Sequence, residues 1–140
     1  NVRSTFWLCN MVLPQMAERG DGSVVLLSSI TALTGNPVIG IYGVSKAAEA
    51  QLARNLAVEW GPRGIRVNCI APGLVKTDFA RALWANPDLL KRVEERTPLR
   101  RIGDPDDIGG IATFLASRAA RFVTGQVIVA DGGATISDPL

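Results

Sequence analysis

Three short runs of β-branched and aliphatic residues constrain this chain most: Ser23-Val24-Val25-Leu26-Leu27-Ser28, Ile65-Arg66-Val67-Asn68-Cys69-Ile70-Ala71 and Gln126-Val127-Ile128-Val129-Ala130. A strand with one wet face alternates apolar and polar positions, whereas a continuous run suits a parallel strand covered on both faces. Between the runs the pattern turns helical. Residues 2–18 carry Phe6, Leu8, Cys9, Met11, Val12, Leu13 and Met16 at crowded helical spacing, and Arg19-Gly20-Asp21-Gly22 stops them. Tyr42 to Trp60 is a long alanine-rich helix closed by Gly61-Pro62-Arg63-Gly64. Residues 77–95 predict one or two helices with a break at Asn86-Pro87. Asp104 as N-cap with Pro105 at the first helical position starts another, running to about Ser117. The order α-β-α-β-α-α-β, without hairpin signals, implies right-handed crossovers and an α/β, doubly wound parallel sheet. No repeat, low-complexity tract or linker divides the chain.

Composition narrows the chemistry. The 140 residues include no histidine, which excludes Ser-His-Asp and Cys-His engines and the usual His-based zinc sites. No metal site is expected, and acid/base work falls to Tyr, Lys, Asp, Glu or Cys. A net charge of +2 without a concentrated basic face argues against nucleic acid as a partner. No apolar run is long enough to span a membrane, and no secretory signal is visible. Two cysteines, Cys9 and Cys69, are too few for a disulfide framework, so a reducing cytoplasm is the expected location. Cys69, inside an apolar run, reads as an inert buried thiol.

Tyr42-Gly43-Val44-Ser45-Lys46 places a phenol and an ammonium four residues apart, on one helix face. A free phenol titrates near ~10 and is a poor base at neutral pH; a nearby cation and the positive end of a helix dipole both favour the phenolate. Tyrosine and lysine at this spacing also occur in helices that do no chemistry. Ser28-Ser29 at the end of a strand adds weight, because ligands of open α/β sheets bind at the carboxyl ends of the strands.

Together these residues resemble the Ser-Tyr-Lys core of the short-chain dehydrogenases/reductases: Ser29, Tyr42 thirteen positions on, then Lys46. Arg66 to Thr77, with Asn68 and Pro72-Gly73, resembles that family's strand-to-loop stretch. Gly125-Gln126 and Asp131-Gly132-Gly133 resemble its last strand, and Asn1 falls where the family places a fourth catalytic residue. The resemblance implies a Rossmann-like fold and an NAD or NADP cofactor, with Tyr42 exchanging a proton with a carbonyl or alcohol oxygen. It implies that Lys46 stabilises the phenolate and binds the nicotinamide ribose, that Ser29 holds the substrate oxygen, and that Asn1 orders a relay water. Pro72, Gly73, Val75 and Thr77 would lie against the nicotinamide. The substrate, a small carbonyl compound or alcohol, would meet Leu33, Val38, Ile39, Leu74, Phe79, Leu83 and Trp84, an apolar lining. Leu83 and Trp84 read equally well as a lid or as core. Helices 2–18 and 42–60 resemble those through which the family forms homodimers and homotetramers.

Bland roles stand beside these. Ser28 reads as a strand-end hydroxyl, Asn68 as a residue bonding neighbouring backbone, Asn1 as a frayed terminus, and Asp131-Gly132-Gly133 as a turn. The family's opening strand, its glycine-rich turn and the Asn-Ala-Gly stretch are not in this sequence. Residues 1–140 are therefore expected to be the carboxyl-terminal half of a single dinucleotide-binding domain, with three of about seven strands. The expected function is an alcohol–carbonyl oxidoreductase. The alternative is an inactive fragment that acts only as an oligomerisation or scaffold module.

Overall fold

A computed structural model describes residues 1–137. It contains helices α1 (Val2–Arg19), α2 (Gly40–Trp60), α3 (Arg81–Trp84), α4 (Pro87–Arg96) and α5 (Pro105–Ala116). Strands β1 (Gly22–Leu27), β2 (Ile65–Pro72) and β3 (Val127–Ala130) form one sheet in the order β1-β2-β3. Both pairings are parallel, with Val24 opposite Val67 and Ile70 opposite Ile128. The doubly wound α/β arrangement expected from the aliphatic runs is the one observed.

Successive strand side chains point to opposite faces of the sheet, and here both faces are covered. Val24, Leu26, Ile65, Val67, Cys69 and Val127 pack with Cys9 and Leu13 of α1 and with Ala50, Ala53, Leu56 and Ala57 of α2. Val25, Ile70, Ile128 and Ala130 meet Ile108, Ile111, Ala112 and Leu115 of α5 on the other side. That double cover is why the runs do not alternate. Burial pushes the Cys69 thiol above its ordinary range, as suits an inert core residue. Asn68, fully buried, donates to the Val123 carbonyl at 2.8 Å and accepts from the Gln126 amide at 3.0 Å. It ties β2 to the turn that enters β3, a backbone-bonding role.

The helix ends follow local chemistry. Gly20 caps α1 in the left-handed region at φ 69°. Asp104 and Asp107 form a capping box at the start of α5, with Pro105 at its first position. Helix α2 begins at Gly40 rather than Tyr42. Asn36 Oδ1 accepts from the Val38 and Ile39 amides at 2.9 and 3.0 Å, which turns the chain early enough for two more residues to join. Residues 77–95 divide further than their periodicity predicts, into a 3-10 turn at Asp78–Ala80, the short α3 and α4. The break at Asn86-Pro87 is where expected, with Asn86 Oδ1 capping the Asp88 and Leu89 amides.

Candidate active site

Three segments meet at the carboxyl end of the sheet: the turn after β1, the first turns of α2 and the loop after β2. Two hydrogen bonds lock the first pair. Ser28 Oγ donates to the Lys46 carbonyl, and Lys46 Nζ donates to the Leu27 carbonyl, each at 2.7 Å. The Ser28 amide donates to Ile70 O at 2.7 Å, which carries strand pairing one residue past β1 and delivers Ser29 at the strand end. Ser28 is thus a structural hydroxyl. Ser29 caps the short turn Ile30–Ala32, its Oγ accepting from the Thr31 amide at 3.2 Å.

Lys46 Nζ lies 5.7 Å from the centre of the Tyr42 ring, on the face that the four-residue spacing predicts. The ammonium uses one donor on Leu27, so two more are available to a ligand. Phe79 approaches the same ring, with centroids 6.3 Å apart and planes inclined by 34°. Gly43 is what lets this turn of α2 lie so close to the Ser29 turn, since a Cβ there would stand 2.7 Å from the Thr31 carbonyl oxygen. Sequence reasoning gave Gly43 no role; its only signal was its place beside the tyrosine. Asn1 Nδ2 donates to Ser45 Oγ at 3.3 Å, and Ser45 Oγ donates to the Tyr42 carbonyl at 2.7 Å. The Asn1 side chain therefore meets α2 at the residue before Lys46.

The loop after β2 is held from two sides. The Gly73 amide donates to Ala130 O at 2.9 Å, and a Cβ on Gly73 would come within 2.9 Å of Asp131. Asp131 organises the turn beyond β3, accepting from the Gly133 amide at 2.9 Å and from the amide and hydroxyl of Thr135 at 2.7 Å. Burial alone would raise the Asp131 carboxyl, but these bonds outweigh it and hold the group below its ordinary range. On the other side Val75 bridges Gly103: the Gly103 amide donates to Leu74 O at 2.9 Å, and the Lys76 amide donates to Gly103 O at 2.8 Å. Arg101 buttresses that contact through a two-pronged bond to Asp107 at 2.6 and 2.9 Å. The hydrogen bonds from Arg101 and from the Asp104 amide hold the Asp107 carboxyl down at about 2. Gly103, Arg101 and Asp107 were missed from sequence because they reach the site only through backbone pairing.

Of the apolar residues expected to line a substrate site, Phe79 has its ring centre 6.3 Å from that of Tyr42 yet is 85% exposed. Leu74 is half-buried, and Leu33, Val38, Ile39 and Leu83 are exposed as well. Trp84 turns back instead, its indole Nε1 donating to the Thr77 carbonyl at 2.7 Å. A concavity of about 280 Å³ between residues 31–36 and α2 includes Gly43 in its wall but not Ser29, Tyr42 or Lys46. The candidate site is an open surface beside it.

The donors and acceptors present fit a nicotinamide riboside. Lys46 has spare donors, and the Thr77 hydroxyl is engaged only by a long 3.5 Å contact to Val75 O. In a parallel bridge the flanking peptides carry the bonds, so the Val75 amide and carbonyl face away from Gly103 and are available.

Known proteins resemble this chain in sequence and fold. A family profile described as enoyl-(acyl carrier protein) reductase matches residues 1–135. Dehydrogenase/reductase SDR family member 4 of Sus scrofa is 45% identical over 133 residues, covering 95% of this chain and 48% of the relative. A short-chain type dehydrogenase/reductase from Mycobacterium ulcerans superposes with a TM-score of 0.93 at 40% identity, over 97% of this chain and 50% of that one. A gluconate 5-dehydrogenase from Burkholderia cenocepacia, solved with NADP and tartrate, gives 0.92 at 34% identity, over 95% and 52%. The chain belongs to the short-chain dehydrogenase/reductase family, whose members are oxidoreductases. It spans about half the length of the curated relatives it matches.

Proposed function

We propose that this chain supplies the proton-transfer half of an NAD(P)-dependent oxidoreductase that interconverts an alcohol and a ketone or aldehyde. The observation that carries the reading is the placement of Lys46: its ammonium is anchored on the end of β1 and set against the Tyr42 ring, one turn of chain from Ser29. In this reading Tyr42 gives its phenolic proton to the carbonyl oxygen, or takes one from the alcohol. Ser29 donates a hydrogen bond to the same oxygen, and Lys46 favours the phenolate and holds the ribose. Asn1 orders a water on the path towards Lys46. Pro72 and Gly73 present flat, small surfaces to the nicotinamide ring, while the Val75 backbone and Thr77 hydroxyl take its amide. When bound, the nicotinamide supplies or accepts the hydride. In this reading the pyrophosphate cradle belongs to a part of the protein beyond these segments, since among the described residues no glycine-rich turn opens a helix after a strand.

Phe79 beside Tyr42, with Leu74 and the exposed Leu33, Val38, Ile39 and Leu83, favours an apolar carbonyl compound over a sugar. Helix α1 exposes Trp7, Leu8 and Met11, and α2 exposes Val44 and Val58. These faces support a homo-oligomer, dimer or tetramer, built through the two helices. They also favour the second reading, a chain that only assembles and does no chemistry.

Titration with NADH and NADPH, followed by nicotinamide fluorescence, separates the two. The 140-residue chain alone gives no saturable signal, and a protein that adds the amino-terminal half of its relatives saturates. Absence of binding by both favours the scaffold. Tight binding by the 140 residues alone contradicts the placement of the phosphate site.

A further inference from the structure

Resting on the oxidoreductase reading above, one residue acquires a different role from that suggested by its position. Between Thr77 and Trp84 the chain doubles back through a 3-10 turn and the four residues of α3. Trp84 closes this fold: its Nε1 donates to the Thr77 carbonyl at 2.7 Å, and the Ala80 amide donates to the same oxygen at 3.1 Å. Lys76 Nζ and Arg81 Cζ lie 5.6 and 5.9 Å from the centre of the indole, and Arg81 is itself tied to Asp78 at 2.8 Å. The ring is half-buried among these groups, while the neighbouring Leu83 is exposed. One residue before Thr77, the Lys76 amide is held by the Gly103 carbonyl at 2.8 Å.

Thr77 is thus fixed from both ends, by Gly103 through the preceding amide and by Trp84 through its own carbonyl. We infer that Trp84 is a positioning residue that sets the 73–77 loop for the nicotinamide, acting through Thr77, and is not a wall of the substrate site. A free Thr77 carbonyl would leave that end of the loop to the single bond from Ala80, and the Thr77 hydroxyl would sample several orientations. An ordinary hydrogen bond has a small net worth, so the consequence is a modest, directed loss of cofactor affinity rather than of chemistry.

The test uses a protein comprising this chain and the amino-terminal half of its relatives, assayed with NADPH or NADH and a ketone. Trp84→Phe keeps a flat ring between the cations and removes the N–H. Replacement of Trp84 by benzothienylalanine, in which sulfur takes the place of the N–H, keeps the full shape. Both are expected to raise the cofactor KM roughly fivefold, the weight of one such bond, with kcat and the ketone KM within about twofold. Phe122→Leu, at a fully exposed ring past the end of α5, changes none of these. A raised ketone KM with an unchanged cofactor KM would make Trp84 a substrate contact and overturn the inference. Unchanged constants, or a fall in kcat together with Tm and no KM change, would overturn it as well. If the unsubstituted protein neither binds nor oxidises NAD(P)H, the oxidoreductase reading itself has failed, and that is read before any variant is compared.

Discussion

Tyr42→Phe lowers kcat by roughly 10²–10⁴, the usual weight of a positioned acid/base. The substitution isolates the hydroxyl. Phenylalanine keeps the ring that meets Phe79 at 6.3 Å and sits 5.7 Å from the Lys46 ammonium, so the fold and the cofactor KM stay close to those of the unsubstituted protein. Neither a second tyrosine nor a histidine of this chain can take over, because Tyr42 is its sole tyrosine and it has no histidine. Lys46 Nζ donates to the Leu27 carbonyl and Ser29 Oγ accepts from the Thr31 amide, so both stay in place in the variant and keep donors for a ligand. Steady-state kinetics on the protein that includes the amino-terminal half read the effect. A variant that turns over at the unsubstituted rate removes Tyr42 from the mechanism. A loss confined to KM would make it a binding residue.

The second large effect is on stability. Gly64, φ 77°, joins the end of α2 to β2, and a Cβ there would lie 2.3 Å from the Gly20 carbonyl oxygen. Gly20 itself caps α1 at φ 69°, so the turns that feed β1 and β2 rest on each other backbone to backbone. Gly64→Ala imposes the left-handed strain, about 1–3 kcal/mol for a residue with a side chain, and forces the two turns apart. The next residue, Ile65, is 1% exposed and starts the central strand, so the displacement reaches the core. A loss of about 2–4 kcal/mol is expected, read as a lower urea midpoint with an unchanged slope. Gly110→Ala is the control. Gly110 lies on the exposed side of α5 with open space where its Cβ would stand, so alanine there is expected to stabilise by up to about 1 kcal/mol. Equal stability of the Gly64→Ala variant and the unsubstituted chain would contradict the turn-on-turn packing.

These two glycines show where the sequence was legible and where it was not. The strands could be read because their continuous aliphatic runs record cover on both faces, and the start of α5 because Asp104-Pro105 is a self-contained cap. Ser29, Tyr42 and Lys46 could be singled out because helical spacing and a strand end are local properties. The contacts of Gly43 and Gly64 could not, since each lets one backbone approach another away in sequence, and neither could the backbone pairing of Gly103 with Val75. The same holds for residues 77–95, where periodicity sees a helix and the Trp84–Thr77 bond makes a folded-back turn. Asn36, six residues before the expected helix start at Tyr42, starts α2 early through side-chain bonds that periodicity does not register.

The central claim is that Tyr42 delivers a proton to a carbonyl oxygen while the nicotinamide delivers hydride to its carbon. The most direct measurement follows the hydride. NADPH deuterated at the transferable position of C4 is incubated with an apolar ketone and the protein that joins this chain to the amino-terminal half of its relatives, and the product alcohol is analysed by mass spectrometry and NMR. The account predicts one deuterium on the carbinol carbon, with product formation reduced roughly 10²–10⁴-fold in Tyr42→Phe. An alcohol free of deuterium, or no alcohol from a protein shown to bind NADPH and the ketone, would contradict it.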